Sequence, residues 1–103
     1  MKRDVFQAIA DPTRRAILVL IASQAMTPNN LADHFDMTRQ AVSKHIQYLV
    51  DCELLNQKKV GREIFYHLKA EKMEEIDKWL EQFKDLWSTR FEQLDELLKS
   101  NDF

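Results

Sequence analysis

With one glycine, two prolines and one cysteine among its 103 residues, the chain has few places to turn and no way to staple itself internally. So little glycine and proline excludes a fold of many short strands and tight turns. Abundant Glu, Lys, Leu and Gln favour helices, so a mainly α fold is expected. Cys52 by itself closes no internal disulfide and supplies no cysteine-rich metal site, which suits a reducing, cytoplasmic setting. No uninterrupted apolar run approaches the roughly 18 residues that a membrane span requires, so no membrane partner is expected. The start Met1-Lys2-Arg3-Asp4 lacks the apolar stretch of a secretory leader. There is no glycine-rich phosphate loop and no nucleophile motif, and an enzyme is not expected.

An apolar content of 45% is enough for one modest core, so residues 1–103 are read as a single domain. The formal net charge of −2 conceals an uneven distribution. Residues 39–70 carry six basic and three acidic side chains, whereas residues 71–103 carry five basic and ten acidic ones. A basic centre beside an acidic tail creates a local field that the overall charge does not report. A plain solvated surface would have the same composition.

Val5, Phe6, Ile9 and Ala10 sit at helical spacing before Asp11-Pro12, an N-cap followed by proline at the first helical position. A helix with Ile17, Leu18, Leu20 and Ile21 follows, broad enough in apolar content to be central, with Arg14 and Arg15 near its start. Thr27-Pro28 repeats the signal and opens a short helix with Leu31, Ala32 and Phe35 inward. Asp36-Met37 makes a turn, and Thr38 caps the next helix, read as residues 38–51.

On that helix Val42, Ile46, Leu49 and Val50 form one apolar face, and Gln40, Ser43, Lys44 and Gln47 form the opposite one, with Arg39 at the amino end. This pair of short helices has the form of a helix-turn-helix, whose second helix enters the major groove of DNA. Gln40 is suited to bidentate contact with adenine, Arg39 and Lys44 to guanine or phosphate, and Ser43 to either. Thr38 is also placed to meet a phosphate. His45 has two readings: a DNA contact, or a residue packed beside Ile46 and Leu49.

After Leu55 the period changes from 3.6 to 2. Residues 56–60 and 63–68 form two extended runs, the second alternating Ile64, Tyr66 and Leu68 against Glu63, Phe65 and His67. The only glycine, Gly61, stands between them, where a hairpin needs positive φ. Lys58, Lys59 and Arg62 give the hairpin 56–68 a basic tip suited to flanking DNA.

From about Ala70 the helical period returns and runs without glycine or proline to Ser100. Trp79, Phe83, Trp87, Phe91, Leu94, Leu97 and Leu98 lie in its apolar stripe. A helix of that length exceeds what so small a domain covers by itself. Together with Phe6, these residues are therefore expected to pair with a second copy. A helix folded back over its own core is the alternative.

The chain resembles the ArsR/SmtB family of winged helix-turn-helix transcription regulators over nearly all its length. The resemblance rests on residues 10–18, Leu31-Ala32, residues 38–49, Leu54-Leu55, Gly61-Arg62 and Tyr66-His67-Leu68. It implies a mainly α fold with a small β-hairpin wing and a long C-terminal dimerisation helix: residues 1–70 would be the DNA-binding core and wing, and 71–103 the dimerisation helix. It also implies a homodimer that binds double-stranded operator DNA and, in most members, represses.

The chain departs from the metal-sensing members. Leu31-Ala32-Asp33-His34 stands where those members carry paired cysteines, and the long helix has no histidine. His34, His45, His67 and Cys52 are scattered without ligand spacing, so no metal and no cofactor are expected. Cys52 reads as a small core residue. Two alternatives stay open: a winged-helix protein-interaction module that docks a partner through the long helix, and a small-molecule inducer between the first and last helices, lined by Trp79 and Phe83.

Overall fold

The computed structural model describes residues 4–100, so residues 1–3 and 101–103, the ends of the two expected segments, lie outside it. The described elements are α1 (Val5–Ala8), α2 (Pro12–Ser23), α3 (Pro28–Ala32), α4 (Arg39–Asp51), β1 (Leu55–Val60), β2 (Glu63–Leu68), a 3-10 turn over Ala70–Lys72, and α5 (Met73–Ser100). They fall into two compact units, one running to Met73 and the other from Glu74.

Each of α1 to α4 starts where a side chain can satisfy its unpaired N–H groups. The Asp4 carboxylate accepts from the Gln7 backbone N–H at 2.8 Å, and the Asp4 N–H donates to Gln7 Oε1 at 3.0 Å. Asp11 accepts from the Arg14 N–H at 2.9 Å. Thr27, nearly fully buried, accepts from the Asn30 N–H at 3.1 Å while its hydroxyl donates to Asn30 Oδ1 at 2.8 Å. Thr38 accepts from the Ala41 N–H at 3.1 Å.

The helix spacing of Val5 to Ala10 holds only as far as Ala8, because Asp11 precedes proline and is pushed out of the α region. Phe6 and Ala10 are exposed, and Ile9 is half-buried. Arg14 and Arg15 complete this short end. Arg14 Nε and Nη2 donate to the carbonyls of Ala8 and Gln7 at 3.0 and 2.9 Å, and Arg15 Nη1 donates to that of Ile9 at 2.7 Å.

The core is built from Ile17, Leu18 and Ile21 of α2, Leu31 of α3, Val42, Ile46 and Leu49 of α4, and Leu54 and Leu55 at the entry to the wing. α4 packs against α3, α2 and β1, and α2 also meets β2. Leu20 and Val50, read as inward, are only half-buried, because each lies at the edge of its helix's apolar arc. α4 ends in a Schellman arrangement: Glu53 N–H donates to the Val50 carbonyl at 2.9 Å, and Leu54 N–H to that of Leu49 at 3.0 Å. The left-handed residue this requires is Glu53, with φ of 62°, at a position usually given to glycine. Its carboxylate lies 3.2 Å from Lys72 Nζ.

β1 and β2 pair antiparallel from Leu55↔Leu68 to Val60↔Glu63, one residue longer at the start than the expected run. The two-residue turn has Gly61 first, at φ of +65°, where a type II′ turn places glycine. A third segment ties down the root of the hairpin. Tyr66 N–H donates to the Met26 carbonyl at 2.9 Å, and Met26 N–H donates back at 3.2 Å. The expected alternation blurs towards the tip: Ile64 is 40% exposed and Phe65 half-buried. A two-stranded ribbon has no facing layer beyond its root, so pleat direction no longer decides burial there.

α5 spans about 42 Å at 1.5 Å per residue. Trp79 and Phe83 meet edge to face at 5.1 Å, and Phe83 stacks on Trp87 at 6.5 Å, the i, i+4 contacts of one helix face. Phe83 is half-buried, whereas Trp79, Trp87, Phe91, Leu94, Leu97 and Leu98 are exposed, Phe91 to 70%.

A Cβ on Gly61 would meet no atom within 4 Å, so its substitution tests backbone strain alone. Gly61→Ala is expected to lower stability by about 1 kcal/mol, the cost of a left-handed non-glycine residue, in urea unfolding. An unchanged midpoint would refute the strained turn.

Candidate nucleic-acid interface

At about 100° per residue, Gln40, Ser43, Lys44 and Gln47 fall on one side of α4, and Val42, Ile46 and Leu49 on the other. The structure bears this division out in burial: the three apolar side chains are at most 1% exposed, Gln40, Lys44 and Gln47 are exposed, and Ser43 is half-exposed. Thr38 and Arg39 stand exposed at the amino end. Gln47 Nε2 donates to Asp51 Oδ1 at 2.9 Å, which orients one end of the polar row.

His45 stands apart from that row. The helical turn sets it on the flank nearer Leu49, and it is half-buried with Nδ1 3.8 Å from Asp11 Oδ2. Tyr48, one turn of flank along, lies under the Arg14 guanidinium at 3.9 Å from ring centroid to Cζ, a cation–π contact. Asp11, Arg14, His45 and Tyr48 therefore join the start of α2 to the middle of α4. The spacing on α4 sets His45 beside Ile46 and Leu49, but only tertiary packing names Asp11 and Arg14 as the groups across from His45 and Tyr48.

The Asp11 carboxyl is held below its ordinary range, chiefly by the hydrogen bond from the Arg14 backbone N–H and further by the His45 and Arg14 charges, against the opposing effect of partial burial.

On the wing Lys58 pairs with Phe65 and Lys59 with Ile64, so the two lysines point to opposite faces of the ribbon. Arg62 is exposed in the turn. A cleft of about 150 Å³ lies between wing and helices, lined by Thr27, Pro28 and Asn29 at the start of α3, Arg39 at the start of α4, and Arg62, Glu63 and Ile64 on the wing. It brings together two of the expected site residues, Arg39 and Arg62, that stand 23 positions apart in the chain.

Residues 9–58 match a helix-turn-helix domain family. The chain is 34% identical over 80 residues to the transcriptional repressor SdpR of Bacillus subtilis, an alignment covering 78% of this chain and 89% of that one. The structure is similar to that of an ArsR-like transcriptional regulator from Rhodococcus sp. RHA1, with a TM-score of 0.71, 31% identity, and coverage of 93% and 88% of the two chains. The chain belongs to the ArsR family of winged helix-turn-helix regulators.

As a member of that family it is a DNA-binding transcriptional regulator. It is also 40% identical over 62 residues to the regulator CmtR of Mycobacterium tuberculosis, 60% of this chain and 52% of that one. A solved structure of that relative is described as a cadmium metal-sensor. Among the described residues of this ArsR-family chain, no three His, Cys, Asp or Glu side chains stand close enough to hold a metal ion. Cys52 is buried at the end of α4. No described helix is long and apolar enough to cross a membrane.

Because folding favours the charged form of Asp11, its contribution is full above the unfolded aspartate value of about 3.9 and is lost as pH falls through the lower folded value. Asp11→Asn retains an N-cap acceptor and removes the titration. Urea unfolding is expected to show wild type losing stability relative to Asp11→Asn between about pH 5 and pH 2. A gap that stays constant over that window would exclude a role for the Asp11 charge.

Proposed function

We propose that the chain is a cytoplasmic homodimeric repressor that seats α4 in the major groove of operator DNA and lays its wing on the flanking duplex. The observation that carries this reading is the polar row Gln40, Ser43, Lys44 and Gln47, held outward by a fully buried face on the same helix. Those side chains match the donors and acceptors of base edges, with Lys44 serving guanine or phosphate and Gln40 adenine. Thr38 and Arg39 meet the backbone at the helix start, and Lys58, Lys59 and Arg62 meet it from the wing. His45, half-buried with Nδ1 3.8 Å from Asp11 Oδ2, is read as a residue packed towards α2 rather than as a DNA contact. The similarity to the transcriptional repressor SdpR supports the direction of control.

In this reading residues 1–70 form the DNA-binding part and 71–103 the dimerisation helix. Exposed Trp87, Phe91, Leu94, Leu97 and Leu98 support pairing, because so much apolar surface on one helix face is costly to leave in water. Phe6, 38% exposed, is assigned to the same interface with Trp79 and Phe83. Release follows a signal other than a metal ion, since the long helix has no histidine and α3 no cysteine.

Selection from random duplex DNA with the purified chain is expected to recover an imperfect palindrome with half-sites centred about 10 bp apart or a multiple of it. Lys44→Ala should weaken binding to that duplex by roughly 1–3 kcal/mol. Recovery of a single asymmetric half-site, or unchanged affinity in the variant, would overturn the assignment. Trp87→Glu combined with Leu94→Glu should sediment as a monomer that no longer retards the selected duplex. An intact dimer would move the interface elsewhere.

A further inference from the structure

We propose that the cleft between the wing and the starts of α3 and α4 is a seat for one DNA backbone phosphate, gripped jointly by Arg39 of the recognition helix and Arg62 of the wing. The inference rests on the DNA reading above and adds to it a single shared contact that couples helix and wing. Both arginines line the cleft, and both are exposed. Among the described residues neither guanidinium has a hydrogen-bond or ion-pair partner, and Glu63 is the one acidic residue that lines the same space. Two arginines and one glutamate among the lining residues give the cleft an excess positive charge and unused planar donors, the combination that suits a phosphodiester oxygen pair.

Size restricts the occupant. A volume of about 150 Å³ is enough to admit a phosphate group. Pockets for organic ligands start at about 300 Å³, so an inducer is a poor match. Topology restricts it further. The strand of backbone that divides a major groove from the neighbouring minor groove must cross between a helix in the first and a wing over the second, which is the line joining Arg39 to Arg62.

The walls are set before any ligand arrives. Thr27 is locked in its capping box with Asn30, and the wing root is fixed to Met26, the residue before it, by the two backbone hydrogen bonds with Tyr66. A site whose walls need no reordering retains more of its contact energy on binding.

The test uses the duplex recovered by selection, with single methylphosphonate linkages placed in turn along each strand to remove one phosphate charge at a time. For wild type, one linkage per half-site should reduce affinity about tenfold or more, comparable to losing a charge-assisted bidentate contact. Arg39→Ala and Arg62→Ala should each lose most of the sensitivity at that same linkage, and the double variant should bind little worse than either single one. Its salt slope should fall by about one phosphate per protomer rather than two.

Penalties that add, or that map to two different linkages, would overturn the shared seat while leaving the DNA reading intact. Sensitivity at no linkage would do the same. Failure of wild type to retard any duplex would overturn the DNA reading and the seat with it. Both side chains are exposed, and circular dichroism of the variants should match wild type.

Discussion

Burial of Val42, Ile46 and Leu49 orients the recognition helix, and the site's chemistry depends on that orientation. Each such side chain contributes roughly 1.5–3 kcal/mol when removed from water, so rotating α4 by a quarter turn would cost more than any polar contact on its far side returns. The apolar face meets α2 and α3, and the outward row Gln40, Ser43, Lys44 and Gln47 is what remains. Specific contact thus needs no polar interaction to position the helix. The protein interior positions it, leaving the polar side chains for a ligand.

Polar contacts then refine a placement that apolar burial has set. Asp11 illustrates the economy of the arrangement: one carboxylate caps α2, faces His45, and sits beside an arginine that closes α1 and covers Tyr48. At the other side of α4, the Schellman closure through Glu53 turns the chain directly into the wing, and the Met26–Tyr66 bridge returns the wing to the start of α3. Recognition helix and wing are therefore linked through short covalent and hydrogen-bonded paths at both ends. The cleft between them follows from those links.

Charge is organised by the same economy. A net charge of −2 would repel DNA if it were spread evenly, but residues 39–70 are basic and include most of the exposed polar side chains of α4 and the wing. Acidic residues gather on α5, where several pair within the helix, as Asp77 does with Lys84 and Asp95 with Lys99. At physiological ionic strength a field decays over about 8 Å, so a phosphate responds to the nearby arginines and lysines and not to the total.

Much of the fold was legible because its signals are local. Asp11-Pro12, Thr27-Pro28 and Thr38 mark helix starts by chemistry within four residues; Gly61 marks the hairpin by its own backbone freedom; and the change of period from 3.6 to 2 separates α4 from the wing. The polar row on α4 was legible for the same reason, since helical spacing alone assigns its face. What lay beyond the sequence needed neighbours distant along the chain. The flank of His45 was visible in the spacing, but its partner Asp11 was not; the exposure of Ile64 depends on a facing layer that the ribbon lacks; and Glu53 takes the left-handed position because the α4 closure imposes it against residue preference. Arg39 and Arg62 illustrate the distinction most directly. Sequence determined that both are basic, that Arg39 opens a helix and that Arg62 stands at a hairpin turn, whereas only tertiary structure set them on one cleft, because their separation depends on how the wing folds back against α3.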